Sequence, residues 1–186
     1  MAVITMSRQY GSLGNVVANA LAERLGYRVV MRELINQAAL QAGAPSVALA
    51  IIDELGLMGI SPTQDEYLAY SRAVQTVMED LAAAGNVIIV GRAGQVVLRD
   101  HPGALHVRLI APLELRAQRL AERHNISVHA AHAQATARDR QRRTYLKRFY
   151  NIDWNDPLLY DLVINTAHLG AAEACNLIYQ AARQLT

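Results

Sequence analysis

Three stretches of the chain carry residue types and spacings suited to phosphate. The first is Ser7-Arg8-Gln9-Tyr10-Gly11-Ser12-Leu13-Gly14, between the apolar run Ala2–Met6 and a helical pattern. A Gly-bearing strand-to-helix turn offers backbone N–H groups and a helix N-terminus to an anion. The same turn can serve packing alone, and both readings stand at this level. It is not the standard Gly-x-x-x-x-Gly-Lys-[Ser/Thr] loop, because no lysine precedes Lys147. The second stretch is Gly91-Arg92-Ala93-Gly94, after the run Asn86–Val90. Gly91 ends a buried strand, so Arg92 is expected at the carboxyl edge of a sheet, pointing into a crevice; a salt bridge to Asp100 or Asp80 is the structural alternative. The third is residues 138–148, with six basic side chains and one acidic, Asp139. On a helix, Arg138, Arg142 and Tyr145 share one face, and Asp139 and Arg143 share its neighbour. Such a helix over a phosphate crevice can clamp a transferring phosphoryl group. A solvated basic face and contact with a nucleic-acid backbone are the competing readings. A formal net charge of only +2 makes nucleic acid the minor one.

Other chemistry-bearing residues give less. His124, His129 and His132 are spaced by five and three with no cysteine near, so a solvated helix face is expected rather than a metal site. Cys175 lies among Ala174, Leu177 and Ile178 and reads as a small core residue. The charge is segregated: residues 1–90 hold 5 basic and 8 acidic side chains, and residues 91–186 hold 13 and 8. Of the 18 basic residues, 17 are Arg. Arginine binds phosphate bidentately, although a compositional bias of an Ala-rich chain accounts for part of the count.

The elements that must position these residues alternate. Short apolar runs at 2–6, 27–31, 86–90, 104–110 and 161–165 suit buried parallel strands. Helical patterns run over 15–25, 32–42, 46–57, 63–84, 112–124, 127–149 and 170–185, with Gly26 and Gly85 as stops, Pro112 in a first turn and Ser127 as a cap. The expected architecture is α/β, a three-layer α/β/α sandwich around a five-stranded parallel sheet. Its ligand belongs at the carboxyl ends of the strands, where the first two stretches and Asn165-Thr166 fall.

A chain of 186 residues, 52% hydrophobic and 18% charged, is one domain with a core and is not a disordered tract. With no apolar run of bilayer length, no signal-like opening and one cysteine, a cytoplasmic protein without membrane contact is expected. The long helix at 63–84 could be covered by the core or by a second copy, so a homo-oligomer remains open.

Several of these segments together resemble the cytidylate kinase-like family: Ile4–Ser12, Asn86–Asp100 as its central strand and following helix, and Tyr145–Thr166 with Asp153-Trp154, Asp156-Pro157 and Tyr160–Thr166. The resemblance implies the nucleoside monophosphate kinase form of the P-loop fold. It divides the single domain into a core (1–31, 86–123, 156–186), a helical monophosphate-binding region (about 32–84) and an Arg-rich lid (about 124–150). It implies transfer of the γ-phosphoryl of ATP, with Mg²⁺, to CMP or dCMP, and small-molecule nucleotides as the partners. The first loop offers Arg8, Tyr10, Gly11, Ser12, Gly14 and Asn15 as candidates to meet the donor, and by the resemblance Arg92 holds the acceptor phosphate, with Arg116 and Arg119 as further candidates. Arg138, Asp139 and Arg142 serve the transfer, and no Mg²⁺ ligand is identified.

The chain departs from the family pattern at three positions. Leu13 and Asn15 stand where the family commonly has Gly and Arg, and Met31 where an Asp is common. Leu13 is a poor fit to a left-handed backbone, and Arg8 is a candidate for supplying the missing charge. Two other functions stay open: a nucleotide-binding protein with little or no turnover, acting as a sensor or partner-binding module, and a kinase of another small acceptor.

Overall fold

The computed structural model describes residues 2–41, 43–44 and 63–185. The helix expected at 46–57 lies outside the described residues. Five parallel strands form one sheet in the order β2-β3-β1-β4-β5. They are β1 (Val3–Arg8), β2 (Arg28–Met31), β3 (Val87–Val90), β4 (Ala104–Ile110) and β5 (Leu162–Asn165). Each was expected to within two residues at either end. The middle strand is β1 rather than β3, the strand that the family resemblance suggested. β1 pairs Val3 with Val87 on one side and Val3 with Ala104 on the other.

Alternation along the strands divides the core between the two faces of the sheet. On one face, Ile4, Met6, Ile88, Val90, Val107 and Leu109 pack with α1 (Gly14–Leu25) and α7 (Ala171–Ala182) through Val17, Leu21, Cys175 and Ile178. On the other, Val3, Val87 and Ile89 meet α2 (Arg32–Gln41) and α3 (Gln64–Ala84) through Ile35, Tyr70, Val74 and Met78. Tyr70, Val74, Met78 and Ala82 recur every fourth residue and are buried. The apolar stripe of α3 is therefore covered by the chain's own core.

Local chemistry sets the helix ends. Thr63 and Glu66 form a capping box, the Glu66 N–H donating to Thr63 Oγ1 (3.3 Å) and the Thr63 N–H to the Glu66 carboxylate (2.7 Å). Pro112 precedes α5 (Leu113–His124), and Asn125 closes it in the left-handed region. Ser127 caps α6 (Val128–Tyr150), accepting from the Ala130 N–H. Of two short elements, α4 (Gly94–Val97) is the helix that the family resemblance set after the strand at 86–90, and the 3₁₀ turn at Pro157–Leu159 was not foreseen. Each is too short to leave a periodic signal. No helix among the described residues is long and apolar enough to cross a membrane.

Candidate active site

A cleft of about 430 Å³ opens at the carboxyl ends of β1 and β3, roofed by α5 and α6. Its described lining holds seven arginines (8, 32, 92, 119, 123, 138 and 142) and a single carboxylate, Glu33. That excess of positive charge suits a ligand with several phosphates.

The loop between β1 and α1 forms the floor. Gly11 has φ +89°, and a Cβ there would stand 3.0 Å from Arg116 Cβ, the Arg116 carbonyl and Leu120. Only glycine satisfies both the conformation and the close approach of α5. Leu13 lies at φ +65°, the left-handed region that its sequence position made doubtful, and its side chain packs on the core beneath α1. Among the described residues, the amides of Gly11, Leu13, Gly14 and Asn15 have no protein acceptor, so they form an open N–H cradle at the start of α1. Tyr10 and Ser12 contribute differently. The Tyr10 N–H donates to Asp139 Oδ1 (2.8 Å). The Ser12 N–H donates to the Gln9 carbonyl, and its hydroxyl lies on the Gln9 and Leu109 carbonyls. Ser12 is fully buried and braces the loop.

Arg8 ends β1 and enters the cleft. Among the described residues, its Nε is buried without a hydrogen-bond partner. Burial, then Arg142, Arg32 and Arg92, lower its pKa to about 9, against a smaller opposing effect of Glu33. A guanidinium holds its proton at neutral pH, so the depression reflects missing counter-charge. Arg142 is lowered to about 10, mainly by burial, and donates from Nη1 to the Arg8 carbonyl (2.6 Å).

Arg92, at φ +49°, is buried and donates from Nε to Asn36 Oδ1 (2.8 Å), the atom that also accepts from the Tyr70 hydroxyl (3.1 Å). The rings of Tyr145 and Tyr70 lie 5.2 and 5.9 Å from its guanidinium carbon. Burial pushes the Tyr145 phenol well above its ordinary range, so it stays neutral. Arg119 also lines the cleft, held by Thr166 at the end of β5: Nη1 donates to Oγ1 (3.1 Å) and Nη2 to the carbonyl (2.7 Å).

Three of the sequence-derived candidates, Ser12, Arg116 and Asp139, do not line the cleft. Arg116 and Asp139 are buried and paired at 2.8 Å. Arg116 also donates to the carbonyls of Ala111 (2.8 Å) and Tyr10 (2.9 Å). Asp139 thereby ties the loop, α5 and α6 together, and Arg142 approaches its other oxygen at 3.7 Å. Arg138, Arg142 and Tyr145 do share the cleft-facing side of α6, as their spacing predicts. Asp139 and Arg143, one turn apart on the neighbouring face, differ in burial: Asp139 is turned inward and Arg143 is exposed.

Arg32, Glu33, Arg123 and Trp154 were missed. Arg32 and Glu33 directly follow β2, so the strand-end rule that found Arg92 would have found them. Arg123 lies one turn beyond Arg119. Trp154 had no local signal. It reaches the cleft because buried Arg108 donates to its carbonyl and to Asn155 Oδ1 (2.8 Å), while the indole N–H donates to Ser7 Oγ (2.8 Å).

The geometry has clear relatives. A protein of Eubacterium ventriosum aligns with a TM-score of 0.77 at 20% identity, covering 98% of both chains. A gluconokinase of Sinorhizobium meliloti aligns at 0.59 and 17% identity, covering 99% of this chain and 93% of its own. The fold is that of the P-loop kinases. Residues 3–168 match the cytidylate kinase-like family, and the cytidylate kinase of Methanocella arvoryzae is 31% identical over 186 residues, 98% of each chain. The chain belongs to the cytidylate kinase-like family.

Proposed function

We propose that this protein transfers the γ-phosphoryl group of ATP to a nucleoside monophosphate, CMP or dCMP. The observation that carries this reading is the cleft itself, whose described lining has seven arginines and one carboxylate, with an open amide cradle at the strand ends. The family membership and the name of the M. arvoryzae relative support the same choice.

In this reading the amides of Gly11, Leu13, Gly14 and Asn15 hold the donor phosphates. Arg92 holds the acceptor phosphate in a geometry set beforehand by Asn36. An oxygen of that phosphate attacks the γ-phosphorus in line, the bond to the β–γ bridging oxygen breaks, and ADP leaves. The attacking oxygen is already anionic, so no general base is required. Arg138, Arg142, Arg119 and Arg123 neutralise the charge on the transferring group. Arg116 and Asp139 act one step away, holding the loop against α5 and α6. Residues of about 32–84 form the acceptor region, and about 124–150 form a lid whose closure excludes water.

Mg²⁺ would neutralise the phosphates and orient them. Among the described residues no three His, Cys, Asp or Glu side chains converge. The fit is therefore to a metal carried in on the phosphates, with Asn15 and Glu33 among the oxygen-bearing side chains that line the cleft.

Leu13 in a strained backbone favours a second reading, nucleotide binding with little turnover. ADP production with Mg²⁺-ATP and a panel of CMP, dCMP, UMP, AMP, GMP and no acceptor tests both. Turnover with CMP or dCMP well above the acceptor-free rate is expected. Binding of ATP without turnover on any acceptor would favour the second reading, and turnover only with a non-nucleotide acceptor would replace the substrate.

A further inference from the structure

The path of Arg8 through the loop has a consequence for the donor site. The standard phosphate loop reads Gly-x-x-x-x-Gly-Lys-[Ser/Thr], its Lys reaching the β- and γ-phosphates. With Lys and Ser/Thr placed on the first two residues of α1, Gly14 and Asn15, the frame spans residues 8–15. Arg8 then stands where the first glycine belongs, and Gly14 where the lysine belongs.

The structure joins these two departures. A Cβ on Gly14 would lie 2.6 Å from Arg8 Cγ and 2.8 Å from Arg8 Cβ. A Cβ on Gly91 would lie 2.7 Å from Arg8 Nη1. The three atoms nearest to a Cβ at residue 14, and the two nearest to one at residue 91, all belong to Arg8. Its stem runs through the space that a side chain at residue 14 would leave from, and its guanidinium ends over Gly91. Gly14 has an ordinary helical backbone, where alanine is normally favoured over glycine by about 1 kcal/mol. The backbone does not require glycine there, and the closest approach is that of Arg8.

We propose that Arg8 and Gly14 have exchanged roles: Arg8 supplies, from the end of β1, the cation that contacts the β- and γ-phosphates of the donor, and Gly14 is glycine to let it pass. This rests on the reading of the cleft as a nucleoside triphosphate site and deepens it by naming the donor-side cation and the position coupled to it. The unpartnered Nε, in a neighbourhood of three other arginines, fits a group whose counter-charge arrives with the ligand.

The test is a cycle of four full-length proteins: wild type, Arg8→Gly, Gly14→Lys and the double variant. Affinities for Mg²⁺-ATP, Mg²⁺-ADP and adenosine are measured by calorimetry, with thermal midpoints for each protein. Arg8→Gly is expected to weaken ATP by about 10- to 100-fold, the usual weight of a charge-assisted contact, and to leave adenosine nearly unchanged. Gly14→Lys alone collides with Arg8 and weakens ATP as well. The double variant regains at least about tenfold over Arg8→Gly, beyond what independent sites would show.

A second cycle uses stability and survives misfolding of the lysine variants. Gly14→Ala should lower the thermal midpoint of wild type and raise that of Arg8→Gly. The proposal is overturned if the folded double variant binds ATP no better than Arg8→Gly, if adenosine loses as much as ATP, or if Gly14→Ala shifts both backgrounds in the same direction. Binding is read without turnover, so a wild type that binds ATP but phosphorylates nothing counts against the kinase reading alone. A wild type that does not bind ATP counts against both.

Discussion

Two arginines stand at the same edge of the sheet in opposite surroundings. Arg92, after β3, is buried against Asn36 and flanked by Tyr70 and Tyr145. Arg8, at the end of β1, has an unpartnered Nε and lies among Arg32, Arg92 and Arg142. The protein has oriented one guanidinium before any ligand arrives and has left the other short of an anion. A fixed arginine places a ligand with little loss of side-chain freedom. An uncompensated one makes the cleft repel itself until phosphate enters. The β3 end is thus built for recognition, and the β1 end for a charge that must be brought in.

The largest expected effect comes from removing the one buried carboxylate of the β1 end. Asp139→Ala leaves Arg116 buried and unpaired, and breaking such a pair costs about 3–5 kcal/mol. Chemical denaturation checks this. Asp139→Asn, which can still accept from Tyr10 N–H, should lose less. An unchanged midpoint in Asp139→Ala would mean that the β1 end is not held together by this ion pair.

At the β3 end, Arg92→Ala should cut kcat/KM for CMP by about 10²–10³-fold, with the affinity for ATP nearly unchanged. Arg92→Lys should recover little, because a single ammonium cannot reproduce the fork. If ATP affinity fell with CMP, the two arginines would not serve separate ligands.

Leu13 measures strain against packing in the loop. Leu13→Ala keeps the left-handed backbone, strained by about 1–2 kcal/mol, and loses contacts with the core. Leu13→Gly loses the same contacts but relieves the strain. The glycine variant should therefore be the more stable of the two by about 1 kcal/mol. The reverse order in thermal unfolding would show that the loop does not hold this conformation.

The smallest effect lies away from the cleft. His106 on β4 shares a hydrogen bond with Thr5 Oγ1 (2.7 Å), and burial lowers its pKa despite the opposing influence of Asp161. A lowered pKa means that the unfolded chain takes up the proton first as pH falls. The stability from neutral His106 is complete above the ordinary histidine pKa and declines on acidification through the folded value. The thermal midpoint should drop from pH 7 to pH 5, and His106→Gln should flatten that drop. Equal slopes in the two proteins would assign it to other groups.

Much of this was legible in order along the chain. Apolar runs five to seven residues long marked the five strands, because a strand buried on both faces leaves a continuous signal. The strand-end rule placed Arg8 and Arg92, and the 3.6-residue period placed Arg138, Arg142 and Tyr145 on one side of α6. The same period could not tell which of the adjacent side chains Arg138 and Asp139 turns inward, because α5 and its Arg116 decide that. Trp154 was equally out of reach: what holds it is Arg108, 46 residues earlier on β4.

The sequence by itself determined the layers, the edge of the sheet where a ligand belongs and the excess of arginine there, since all three follow from local periodicity and residue type. Only the tertiary structure decided which arginines are tied up and which await a partner. Arg116 and Arg8 are chemically alike, and one lies on a buried carboxylate while the other threads between two glycines. Their difference is set by what lies within a few ångströms across the fold, and linear spacing carries no record of that.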